Sequence, residues 1–297
     1  MDLSQPMLSI CIPTYNRAGK LDICINSIFS QIGNDDSIEV LIINNASTDT
    51  TEEVILKYAS IYKNLTYIKN EINIGGDRNI YKALEKARGS YIFLHGDDDI
   101  FFNDTIYPIL DIIKNNLTCG IIFVNVLKDN KEVKISNGMG NYLRETSIYS
   151  TFISSLIFKR EEYLKLEDRD LFVEKNFNQV YLQYSIIRNN SQFCIINNSA
   201  FYYLGNLNMS PEVSWATIYV KNYIDVINYF KEKGLTEEEI SIDKKRALEE
   251  VIIPRYSLAL KGLISINTSD FEEIFIEYYK DEPYFQSVYN LIKELKK

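Results

Sequence analysis

The sequence predicts an α/β fold: a mostly parallel sheet with flanking helices, followed by a helical C-terminal extension. Three observations carry this. Short runs of branched and aromatic residues alternate with helically spaced apolar stripes through the first hundred residues, the βαβα pattern of a parallel sheet. Three of those runs end in polar clusters, Thr14–Arg17, Asn44–Asp49 and His95–Asp99. Open α/β sheets bind ligands just outside the carboxyl ends of their strands, where these clusters fall. From about Met209 onward only helical periodicity remains, so residues 1–208 are expected to form the sheet domain and 209–297 a helical region.

The elements follow in order. Leu8 to Ile12 reads as a buried strand that Pro13 ends, since proline cannot donate to a ladder. Leu21, Cys24, Ile25 and Ile28 make one helix face. Ile38 to Ile43 is a second buried strand, and Thr50 with Glu53 offers a capping box for the next helix. Leu65 to Lys69 is a short strand and Asn73 to Gly76 a turn. Ile80, Ala83, Leu84 and Ala87 form a helical stripe that Gly89 closes. Tyr91 to Leu94 is the strand that delivers Asp97, Asp98 and Asp99. Ile106, Ile109, Leu110 and Ile113 then mark a helix, and Cys119 to Val126 a strand. Lys128 to Arg144 is polar, contains Gly138 and Gly140, and reads as a mobile loop. Pro211 starts a helix through Phe230 that Gly234 ends, and Thr236 with Glu239 caps another that runs towards Gly262 despite Pro254. Amphipathic stretches near Asp270–Lys280 and Pro283–Lys297 finish the chain.

Composition excludes several classes. The 297 residues are 46% hydrophobic, enough for a sizeable core. A net charge of −9 argues against a nucleic-acid partner held by phosphate attraction. Cys11, Cys24, Cys119 and Cys194 form no C-x-x-C and sit among apolar neighbours, as buried reduced thiols of a cytoplasmic protein would. The start MDLSQPMLSIC lacks a basic n-region and a long apolar stretch, so no signal peptide is expected. No window approaches ~18 uninterrupted apolar residues, so no membrane-spanning helix is expected either.

Three successive carboxylates between apolar runs repel one another, and burying them unpaired is costly. A hard divalent ion, Mg²⁺ or Mn²⁺, removes that cost and bridges readily to phosphate oxygens. An acidic turn or helix cap is the plain alternative. The first loop, PTYNRAG, has neither the G-x-G-x-x-G of a dinucleotide site nor the G-x-x-x-x-G-K-[ST] of a P-loop. That leaves a crevice where a cation, rather than a glycine cradle, neutralises a diphosphate.

LSICIPTYNR, INNASTDTT, NINIGGDRN and FLHGDDD occur in an order and spacing that resemble the GT-A glycosyltransferases of family 2, closely over residues 7–127 and loosely to about 205. The resemblance implies a Rossmann-like GT-A sheet, a nucleotide-sugar donor, and Mn²⁺ or Mg²⁺ held by Asp97 and Asp99. It implies transfer to an acceptor hydroxyl, hexosyltransferase-type and inverting, in bacterial polysaccharide synthesis. It places the nucleotide sugar against Pro13, Thr14, Tyr15, Arg17, Asn44, Asn45, Gly75, Arg78, His95, Asp97 and Asp98. Tyr15 would stack on base or ribose. Arg78 would meet the diphosphate beside a helix N-terminus, a favourable place for an anion, with Asp77 simply a charge in that first turn.

The sequence departs from the family pattern in three places. Asn44 stands where an aspartate is usual; its amide both donates and accepts, so uracil, thymine and cytosine all stay open. His95, the only histidine, stands at the first acidic position and either lines the donor pocket or makes local hydrogen bonds. Asn178-Gln179 stand where an acidic pair would supply the base that deprotonates the acceptor. Glu174 and Asp170 are the nearest candidates for that role; a carboxylate from a closing loop, or a reaction without this base, are the alternatives, and the anomeric outcome stays open with them. The implied acceptor is a glycan or lipid-linked glycan, which allows peripheral association with the inner face of the membrane, without electrostatic help from an acidic chain. The tyrosine-rich C-terminal region is open as an acceptor surface or a homodimer contact. A nucleotidyltransferase would want a glycine- and lysine-rich first loop. A nucleotide-sugar-binding protein without transferase activity would need no base.

Overall fold

The computed structural model describes residues 5–203, 209 and 212–296. Its main sheet has eight strands: β1 (Leu8–Thr14), β2 (Ile38–Asn44), β3 (Leu65–Lys69), β4 (Tyr91–Leu94), β6 (Ile121–Asn125), β7 (Val133–Asn137), β8 (Leu156–Lys159) and β9 (Gln192–Asn197). They run in the order β3-β2-β1-β4-β8-β6-β9-β7. The β1–β2, β2–β3, β1–β4 and β6–β9 pairings are parallel, whereas β8 is antiparallel to β4 and β6, and β7 to β9. A separate ribbon pairs β5 (Asp99–Phe101) with β10 (Phe201–Tyr203). The mostly parallel α/β sheet is as expected. The register aligns Thr14 with Asn44 and Cys11 with Leu94, so three polar loops leave the sheet side by side.

Side-chain alternation along the strands splits the core in two. Leu8, Ile10 and Ile12 pack with α1 (Ala18–Ile32), α2 (Thr51–Ala59) and α4 (Ile106–Asn115). Cys11, Leu41, Ile43, Ile92 and Leu94 face α3 (Gly76–Lys86), α5 (Met139–Thr146) and α7 (Asn178–Asn189). A short α6 (Arg160–Leu164) follows β8. That second core continues without a break into α8 (Tyr223–Tyr229), α9 (Glu237–Ala247), α10 (Ile253–Leu260), α11 (Phe271–Tyr279) and α12 (Phe285–Leu295). Among the described residues no helix is long and apolar enough to cross a membrane. All four cysteines are buried and free.

Several local expectations need correction. Thr50 makes no side-chain cap. The Asp49 carboxylate does that work instead, accepting from the Thr51 N–H at 3.0 Å and the Ala18 N–H at 3.2 Å. Gly89 does not close α3, which ends at Lys86. Its missing side chain lets it lie on β1: a Cβ there would sit 2.4 Å from the Ser9 nitrogen. The stretch 128–144 is no bare loop, since it holds β7 and most of α5. After α5, two tight turns over Ser147–Thr151 and Ile153–Ser155 lead into β8. Pro211 lies outside the described residues. The Thr236–Glu239 capping box is present as expected. Between α9 and α10 the helix widens to a π turn at Leu248–Ile252, just before Pro254, which has no N–H for an ordinary helical bond.

Candidate active site

The carboxyl ends of β1, β2 and β4 enclose a crevice of about 290 Å³ with α3. Pro13, Thr14, Tyr15 and Arg17 line it from the β1 loop, Asn45 from the β2 loop, and Gly96, Asp97 and Asp98 from the β4 loop. Gly76, Asn79, Ile80 and Ile153 complete the wall.

The β1 and β4 loops are stitched together by charge. The Thr14 hydroxyl donates to Asp97 Oδ2 at 2.7 Å. Arg17 Nη1 reaches Asp97 Oδ1 at 3.0 Å and Asp98 Oδ2 at 2.6 Å. Lys20, one helical turn further, adds a 3.3 Å contact to Asp98. Burial raises the Asp97 carboxyl pKa, and Arg17 with Thr14 opposes that rise.

Asn45 ties the β2 loop to the turn before α3. Its Oδ1 accepts from the Ile74 N–H at 2.9 Å and from Asn70 at 2.8 Å, while its Nδ2 donates to Asn73 at 2.8 Å and more weakly to the Gly75 carbonyl at 3.3 Å. Gly75 has φ +85°, a conformation that side-chain-bearing residues avoid, and it delivers Gly76 as the first residue of α3. Asn79 is held by the Ile43 carbonyl at 3.0 Å and by Asn70 at 2.9 Å.

Other expected site residues are placed elsewhere. Asn44 is fully buried and its amide is engaged at both ends: Oδ1 accepts from the Ser47 N–H at 2.9 Å and Nδ2 donates to Tyr67 at 3.3 Å. It does not line the crevice. His95 is also fully buried, stacked on Phe101 at 4.3 Å, with Nε2 at 3.0 Å from the Asp99 carbonyl. Burial lowers its pKa to about 4, so it is neutral and belongs to the packing beneath the loop. Asp99 does not line the crevice, although its carboxylate and that of Asp98 both lie against Gly96. It turns into the β5 ribbon, where Ser154 donates to its Oδ2 and burial pushes its carboxyl to about 7. Of the three carboxylates, Asp97 and Asp98 are the ones in the crevice wall.

Arg78 and Glu174 do not line the crevice either, but they form an ion pair with each other, both largely exposed. Asp77 links the same two segments by accepting the Asn176 N–H at 3.0 Å, and burial raises its carboxyl to about 7. Asp170 is exposed and outside the crevice wall. Asn178 and Gln179 are buried braces. Asn178 accepts from the Phe172 N–H at 3.1 Å and donates to the Arg169 carbonyl at 2.8 Å; Gln179 donates to the Thr151 carbonyl at 3.1 Å. The sequence reading missed Lys20, Asn70, Asn79 and Ile153. Lys20 alone had a signal, lying one helical turn beyond Arg17.

Asp97 and Asp98 fit a hard divalent cation, because they bring carboxylate oxygens to the crevice at a cost that burial makes plain. Among the described residues no group of three acidic, histidine or cysteine side chains converges to enclose one. An ion held by these two carboxylates would take its remaining ligands from water and substrate phosphate oxygens.

Residues 9–185 match the family described as "Glycosyl transferase family 2". The chain belongs to that family. The abequosyltransferase RfbV of Salmonella typhimurium is 26% identical over 214 residues, 64% of this chain and 63% of that protein. An uncharacterized glycosyltransferase of Mycoplasma genitalium is 40% identical over 102 residues, 33% of this chain and 34% of its own length. The chain thus spans less than two thirds of these family relatives. In three dimensions it shares its fold with S. aureus TarS 1-349, solved in complex with UDP: TM-score 0.65, 18% identity, 97% of this chain and 91% of that chain. The mannosyltransferase PcManGT from Pyrobaculum calidifontis, solved with GDP-Man and Mn²⁺, has a TM-score of 0.60 at 14% identity, covering 99% of this chain and 86% of that one.

Proposed function

We propose that this protein is a metal-dependent glycosyltransferase that moves a hexose-type sugar from a nucleotide diphosphate sugar to an acceptor hydroxyl in cytoplasmic steps of bacterial surface glycan synthesis. One observation carries this beyond family membership: Thr14–Arg17, Asn45, the α3 start and Asp97–Asp98 converge on one crevice. In this reading Tyr15, 41% exposed at the rim, stacks on the nucleoside. The first turn of α3 presents backbone N–H groups to the diphosphate. Asp97 and Asp98 hold Mn²⁺ or Mg²⁺, which when bound would offset the leaving diphosphate's charge. Arg17 pairs with both carboxylates and Lys20 with Asp98.

The base is proposed to be Glu174, released from Arg78. Exposed ion pairs are worth about 0–1 kcal/mol, so this one opens cheaply. A bound diphosphate would draw Arg78 away and leave Glu174 to accept the acceptor's proton. Glu174→Gln is then expected to lower transfer about 10²- to 10⁴-fold with donor affinity little changed. A near-normal rate would refute the assignment.

Buried Asn178 and Gln179 favour a second reading, a donor-binding protein that does not transfer. Slow hydrolysis of bound nucleotide sugar separates the two. A thermal-shift screen of nucleotide sugars with Mn²⁺, Mg²⁺ or EDTA tests both, because a ligand of the folded state raises apparent stability by mass action. Absence of any metal-dependent shift would overturn the donor site.

A further inference from the structure

A second cavity of about 460 Å³ lies between the sheet domain and the C-terminal helices, and Ile153 belongs to its wall and to that of the donor crevice. Its lining is mainly apolar and aromatic. In a chain of net charge −9 it contains no acidic residue, and its one charged group is Arg255. The guanidinium lies 5.5 Å from the Tyr219 ring centroid and, among the described residues, has no carboxylate partner. The acids on the preceding turn have cationic partners of their own, Glu250 with Arg246 at 2.9 Å and Glu249 with Lys245 at 3.8 Å, and Glu250 also meets the Tyr149 side chain. Tyr149 and Tyr219 are half-buried on this wall, with the Arg255 guanidinium over the Tyr219 ring.

We propose that this cavity is the acceptor site and that it selects a negatively charged acceptor, a ring-bearing unit with a phosphate or a carboxylate. The proposal rests on the donor reading above and adds the acceptor's class to it. Arg255 takes the anion through its planar fork, which matches both groups bidentately. The acceptor ring lies against the tyrosines, an apolar body beside a polar handle. No lining residue is acidic, the Glu250 carboxylate behind Tyr149 is paired with Arg246, and the shared Ile153 wall sets the acceptor next to the donor.

Methyl glucoside, its 6-phosphate and its 6-carboxylate are suitable probes, titrated by calorimetry into the full chain loaded with uridine or cytidine diphosphate. The anionic probes are expected to bind about ten- to hundred-fold more tightly than the neutral one. The stronger of the two identifies phosphate or carboxylate as the natural group. Arg255→Gln removes the preference without altering the neutral probe's affinity, and Arg255→Lys restores part of it. Equal binding of all three, no binding by either anion, or a preference that survives Arg255→Gln overturns the proposal. Failure of the nucleotide diphosphate to bind strikes the donor reading instead and is seen in the loading titration itself. Circular dichroism of both variants checks that the helix is kept.

Discussion

Arg17 holds two carboxylates at once, and that decides how the crevice responds to substitution. Asp97→Asn leaves Arg17 its 2.6 Å contact to Asp98, and a neutral amide costs less to bury than a carboxylate. The chain should fold, yet metal-dependent donor turnover should fall by about 10²-fold or more, since a metal's charge contributes several kcal/mol to the transition state. Initial rates against Mn²⁺ concentration, beside melting curves, check this; full activity would remove the metal from Asp97. Asn44 behaves otherwise. An aspartate there would still accept the Ser47 N–H and would lose only the bond to the Tyr67 hydroxyl, whose own proton goes to Glu52 at 3.0 Å, so the change stays outside the crevice wall. Asn44→Asp should therefore leave the uridine-to-cytidine diphosphate affinity ratio unchanged within about two-fold, and a larger change by calorimetry would return Asn44 to base recognition. These two residues mark what was legible. Strand-end spacing located both loops. It could not give side-chain direction, because the three-residue turn to Ser47 captures Asn44 and the Phe101 ring captures His95.

At the scale of elements, the buried strands and amphipathic helices were readable because their periods are intrinsic to the sequence. The edge strand β7 was not. VKISN is mostly exposed and gains its place only through backbone bonds to β9, some sixty residues away. Gly89 is a similar case, its role set by contact with β1. A Cβ there would meet the Ser9 nitrogen at 2.4 Å and the Leu8 carbonyl carbon at 2.7 Å, both backbone atoms that cannot swing aside. Gly89→Ala should cost about 1–3 kcal/mol, read as a lower urea midpoint at unchanged slope. An unshifted midpoint would mean β1 can move. Between α8 and α9, Asp243 is buried and accepts the Tyr223 hydroxyl at 2.7 Å. Burial is the main cause that raises its pKa from 3.8 to about 6. A raised carboxyl pKa means the folded state binds the proton more tightly, so this stabilisation is complete below about pH 4 and lost as pH rises towards 6. The loss is about 3 kcal/mol. Asp243→Asn should therefore gain stability relative to wild type across pH 4–6 and hold the gain above it. Urea midpoints that run parallel across this range would refute it.

At the scale of the molecule, the expected boundary near residue 208 does not divide the core. Ten of the twelve residues of α7 are buried. A helix sealed on nearly every side needs a cover beyond the sheet, and the C-terminal helices supply it. Tyr184 packs on Phe230 at 5.5 Å, Phe172 on Tyr229 at 5.5 Å, and Phe177 on Tyr219 at 5.6 Å; Tyr181 stacks on Phe230 at 5.9 Å. Ending the chain at residue 208 would uncover these four rings. Each large apolar side chain returned to water costs about 1.5–3 kcal/mol, about 6–12 kcal/mol in all. That is comparable to the whole stability of an ordinary domain, about 5–15 kcal/mol. We therefore expect residues 1–208 alone to aggregate or to lack a cooperative transition, and residues 1–297 to unfold in one step seen identically by tyrosine fluorescence and far-UV dichroism. A truncated chain that melts cooperatively and still binds a nucleotide diphosphate would show instead that the sheet domain stands alone, with the helices a separable cover.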